Sequence, residues 1–139
     1  MSLAPAVVVY DRAQIASVVE FHRPVTLLSP PGFAAYGGCL WWQAIVAGFD
    51  GVSLLDCGDA AGRAVEAMRL GLRGVVLAGD VANFAQVGLI AAACGVVLLD
   101  TAPPALDLAV RGADRHLLAW LGQTKGEHDA RNATGSEDS

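Results

Sequence analysis

Charge is scarce in this chain, and lysine is nearly missing. Charged residues make up 17% of the 139, against about 25% in an ordinary soluble domain. Only one of the nine basic residues is a lysine, Lys125. Schiff-base chemistry, pyridoxal phosphate and Walker-type nucleotide binding all need a positioned lysine. Lys125 stands in a small polar stretch close to the C-terminus, so these classes are excluded. No Gly-x-Ser-x-Gly elbow offers a serine nucleophile. No grouping of histidines and cysteines has zinc-ligand spacing, and no metal or cofactor is expected. The three cysteines, Cys39, Cys57 and Cys94, contain no Cys-x-x-Cys pair. An odd number of unpaired thiols points to a reducing, cytoplasmic setting. A net charge of −5 leaves no basic face for nucleic acid.

The scarcity is also local. Residues 24–49 and 81–99 contain no Asp, Glu, Lys or Arg. The second run is long enough to be tested as a membrane span. Asn83, Gln86, Gly88 and Gly95 interrupt it, and its end, Val96-Val97-Leu98-Leu99, reads as a buried strand. The first run is broken by Pro24, Pro30, Pro31 and four glycines. The opening Met1-Ser2-Leu3-Ala4-Pro5 has no basic leader, so no export signal and no membrane are expected.

What the chain does have is a repeated pattern. Gly51–Asp56, Gly74–Asp80 and Gly95–Asp100 each run from a helix-ending glycine through a short apolar stretch to an aspartate. Ala6–Tyr10 before Asp11, and Val25–Leu28 before Ser29, fit the same role. Continuous rather than alternating apolar runs mark parallel strands covered on both faces. Helices are expected at about 12–22, 39–49, 60–71 and 82–94. The first has Asp11 as N-cap with Gln14 three residues on, a capping-box variant. The expected fold is therefore α/β. It is a single three-layer domain over residues 1–122 with a five-stranded, mostly parallel sheet in flavodoxin-like order, 2-1-3-4-5. An open fragment of a (β/α) barrel is the alternative. Leu106, Leu108 and Val110 alternate as an edge strand would, followed by a helix 114–122 capped by Asp114. Residues 123–139 read as a disordered polar tail.

Ligands of parallel sheets sit beyond the carboxyl ends of the strands. That edge would carry Ser29, Asp56, Asp80 and Asp100, next to the loop 29–39 whose Gly37-Gly38 could bring backbone N–H groups to an anion. Helix capping explains each aspartate singly, with no need for a bound cation, and is the favoured reading of them. Cys39 at a helix N-terminus and Cys57 in the turn after the third strand are the candidate nucleophiles of a cysteine-dependent hydrolase or transferase. Of the histidines only His116, at the start of the last helix, could reach them as a base, though nothing in the sequence places it there, and Cys94 reads as buried. Helices 39–49 and 82–94 are apolar over most of their circumference, more than the outside of a sheet requires. The primary expectation is thus a homo-oligomer associating through these helices, with a small ligand near loop 29–39.

Overall fold

A computed structural model describes residues 3–122. The tail expectation for 123–139 lies outside these residues. Six strands form one sheet: β1 (Ala6–Val8), β2 (Thr26–Leu28), β3 (Ser53–Asp56), β4 (Gly74–Val76), β5 (Val97–Leu99) and β6 (Ala105–Asp107). The helices are α1 (Arg12–Val19), α2 (Phe33–Tyr36), α3 (Cys39–Ile45), α4 (Ala61–Arg69), α5 (Phe84–Cys94) and α6 (Leu117–Leu121), with a 3-10 turn at Ala113–His116. The α/β class and the parallel sheet with helices packed on it are as the sequence implies.

Strand number and order differ from expectation. The order is β5-β4-β3-β2-β1-β6, and every pairing is parallel. The flavodoxin-like 2-1-3-4-5 order is therefore corrected. The sequential run from β1 to β5 matches the alternative, an open (β/α) barrel fragment. The sixth strand is the short extended piece expected near 105–110. Helix 114–122 is a 3-10 turn followed by α6, and Asp114 does not cap it.

Four consecutive right-handed crossovers in one direction, from β1 to β5, place their helices on one face. The buried side chains of α1 to α6, among them Val18, Trp42, Met68, Val87 and Leu117, accordingly share a cluster with Val7, Leu27, Leu55 and Val75. The alternate strand residues Val8, Leu28, Leu54 and Val76 form a second cluster, bordered by Tyr10, Leu99 and Ala105. Burial on both faces is what made the strand sequences continuously apolar.

The connection from β5 to β6 fixes the shape of the sheet. In a flat sheet six strands wide the two edge strands would stand about 24 Å apart. The chain from Leu99 to Ala105 reaches at most about 21 Å, and it must also return to the starting end of a parallel strand. The sheet therefore curls, bringing its edges toward each other around the Val8–Leu28–Leu54–Val76 cluster. Two hydrogen bonds secure the β6 side: Tyr10 Oη donates to Asp107 Oδ2 at 3.1 Å, and Trp120 Nε1 donates to the Ala6 carbonyl at 2.7 Å. Among the described residues no helix is long and apolar enough to cross a membrane.

Candidate functional site

The carboxyl ends of the strands gather most of the residues singled out from the sequence. Asp11 does cap α1, its carboxylate accepting from the Gln14 N–H at 2.8 Å, while Gln14 Oε1 reaches back to the Tyr10 N–H. The other aspartates do not cap helices. Asp56 Oδ1 accepts from the Gly58 N–H at 2.9 Å and folds its own turn, leaving Ala60 as the N-cap of α4. Asn83, with no side-chain cap bond, precedes α5. Asp80 and Asp100 are exposed, and the Asp100 Cβ lies 3.0 Å from where a Gly79 side chain would begin.

Ser29 and Asp56 come together, but as structure. Ser29 is fully buried, and its hydroxyl accepts from the Asp56 N–H at 2.8 Å and donates to the Pro30 carbonyl. Both bonding capacities are used in clamping β2 to β3. Sequence reasoning missed Tyr10 and Asp107. Both fall on the inward side of the curled sheet, and Asp107 also accepts from the Ala109 N–H. Burial first, then the hydrogen bond to Asp107, pushes the Tyr10 hydroxyl pKa up to about 12. The alternation Leu106-Asp107-Leu108 was the available signal; only β6 pairing beside β1 gives it meaning. Among the described residues no three His, Cys, Asp or Glu side chains are placed to hold a metal ion.

The two candidate nucleophiles are deeply buried. Cys39 is 1% exposed and donates from Sγ to the Arg63 carbonyl at 3.3 Å. Burial, followed by the charge of Glu66, raises its pKa to about 11. Desolvation thus outweighs the helix dipole that was expected to lower it. Cys57 donates to the Leu55 carbonyl, and burial, then the neighbouring Cys39 and Asp56, raises it to about 12. His116 is exposed on the 3-10 turn, and no histidine among the described residues bonds to either thiol. Cys94, expected to be buried, is exposed at the end of α5.

Loop 29–39 is built around aromatic rings. It contains α2, one turn long, which delivers Phe33 into the core. The Phe33 ring stacks on Trp41 at 5.1 Å between centroids and meets Tyr36 edge-on at 5.2 Å. Trp42 closes the cluster from inside. Gly37 lies directly beneath the Phe33 ring, filling the role of a spacer rather than of an anion cradle. Gly38, at φ 84, turns the chain into α3. Outside, Tyr36, Leu40 and Trp41 are 70%, 63% and 51% exposed. On α5 the large exposed apolar residue is Leu89. The two surfaces are separate, because α4 packs between α3 and α5 and carries the exposed Arg63–Glu66 ion pair. No protein-family model matches this chain, and neither a curated protein nor a solved structure matches it.

Proposed function

We propose that this chain is a self-associating α/β domain that pairs through the face formed by α2 and α3. One observation carries the reading: Tyr36 and Trp41 are largely exposed yet are fixed in place by the same buried ring, Phe33. Aromatic anchors held rigid before binding lose little entropy when covered, and they dominate the energetics of interfaces. A contiguous exposed patch of this kind on a monomer marks an interaction site. A two-fold axis through α2–α3 would cover both copies with one repeated surface. Because α4 separates α5 from α3, the 82–94 helix does not belong to the same patch. Trp42 is fully buried and serves the fold, leaving Trp41 as the interface anchor. Three free cysteines fit the proposed cytoplasmic setting. A small ligand at the strand carboxyl ends would find Asp80 and Asp100 as its exposed carboxylates. A thiol-based enzyme is the weaker reading, since burial keeps Cys39 and Cys57 protonated.

Light scattering after size exclusion, across a dilution series, tests this. The native chain is expected as a dimer that Leu40→Glu or Trp41→Glu converts to a folded monomer, whereas Leu89→Glu stays dimeric. A native chain monomeric at the highest concentration reached would end the proposal.

A further inference from the structure

A cavity of about 960 Å³ opens at the amino ends of the strands, the end opposite Ser29 and Asp56. That volume is in the range of small-molecule sites, roughly 300–1,000 Å³. Ile15 and Val19 of α1, Ile45 of α3 and Val52 before β3 make its walls apolar. Phe49 closes one side. Its ring lies over Gly51, where a β-carbon would stand 2.9 Å from Phe49 Cζ, so this wall exists because residue 51 has no side chain. Val19, at 40% exposure, is left uncovered on a helix whose other large apolar residues, Ile15 and Val18, are buried. The cavity uses neither Tyr36, Leu40 nor Trp41, so it stands independently of the α2–α3 face.

The charged groups on the lining decide the ligand. Arg12 opens α1, and Arg23 follows four residues after its end, so two cations stand at either end of a helix about 12 Å long. Arg12 spends one N–H on the Ala44 carbonyl, at 2.9 Å, and so ties α1 to α3 across the cavity. Among the described residues neither arginine is paired with a carboxylate. The single acid on the lining, Asp50, disfavours a ligand carrying several negative charges. Apolar walls select a hydrocarbon, and a guanidinium selects a planar anion that it can bind with two parallel N–H bonds. We infer that this cavity binds an alkyl monocarboxylate, its chain against Ile15, Val19 and Phe49 and its head on Arg23, with Arg12 at the other end.

Calorimetric titration of the full chain with dodecanoate, below its micellar range, provides the test, with dodecanol as the uncharged control. Dodecanoate is expected to bind once per chain. Arg23→Gln should weaken it about tenfold, the worth of a hydrogen-bonded charge, and leave dodecanol binding unchanged. Val19→Trp, a change at an exposed helix position, should put an indole where the alkyl chain lies and weaken binding of both. No binding to the native chain would overturn the inference. So would equal affinity for dodecanoate and dodecanol, or affinity unchanged by Val19→Trp, which would place the ligand elsewhere, such as on the exposed aromatic face.

Discussion

One absent β-carbon shapes the aromatic face. At Gly37 the backbone is ordinary, φ −94 and ψ −26, so any residue could adopt it. What forbids a side chain is Phe33, whose Cε2 would lie 2.6 Å from a new Cβ. Gly37→Ala should therefore cost about 1–3 kcal/mol by overpacking. Urea unfolding would measure this, and the emission of Trp41 should shift as the stack loosens. Trp42 poses the reverse problem, a fully buried indole whose Nε1–H has no hydrogen-bond partner among the described residues. Trp42→Phe removes that unpaired donor together with some volume, and the two effects oppose each other. Its expected cost is under about 1.5 kcal/mol, against about 3–5 kcal/mol for Trp42→Ala. The thiols divide by burial: iodoacetamide at pH 8 should label Cys94 and spare Cys39 and Cys57 in the folded chain. Mass spectrometry of the labelled peptides would show it, and prompt labelling of Cys57 would revive the nucleophile reading.

Among the elements, what the sequence discloses depends on which physical demand wrote it. The five strands from Ala6 to Leu99 were legible because burial on both faces leaves only apolar residues. Their neighbours were not, since Val7 or Leu54 carries no mark of the strand that will lie beside it. The order could have been reached from the five residues between Leu99 and Ala105, too few to cross a flat sheet. The helix 33–36 stayed hidden because a single turn has no periodicity to detect. Similarly, Cys39 looked activated at a helix start, and only packing against Arg63 and Glu66 reveals it as core. The cavity was illegible, as it arises from the distance between α1 and α3 rather than from any run of residues. β6 also depends on tertiary fixing, through its pairing with β1 and the Tyr10–Asp107 bond. Tyr10→Phe should destabilise the domain by about 1 kcal/mol. Hydrogen exchange should locate the loss at the Leu108 amide, which bonds to the Val8 carbonyl.

For the whole molecule, two buried thiols and one half-buried phenol set the alkaline limit of stability. Cys39, Cys57 and Tyr10 have ordinary values of 9.0, 9.0 and 10.0 and rise to about 11, 12 and 12 on folding. As pH increases the unfolded chain loses these protons first, so the folded state binds more protons and stability falls. The urea midpoint should be level below about pH 9 and decline from there to about pH 12. Replacing Cys57 with Ala should flatten part of that decline; an unchanged slope would mean that the thiol ionises freely in the fold.

The strand order also governs how the chain reaches this state. From β1 to β5 every strand pairs with the one before it in sequence, so the sheet can grow by adding one βα unit at a time. The pairing of β6 with β1 is different in kind, joining Ala6 to Ala105. Made early, that pairing would close most of the chain into one loop at an entropic cost higher by about 1.4 kcal/mol than a neighbour pairing. Made last, it closes only the short segment after β5, because the curled sheet has already carried β5 round toward β1. This topology predicts folding as a zipper followed by a latch. In stopped-flow chevrons, Tyr10→Phe should leave the refolding limb in place and raise the unfolding limb, the signature of a contact formed after the rate-limiting barrier.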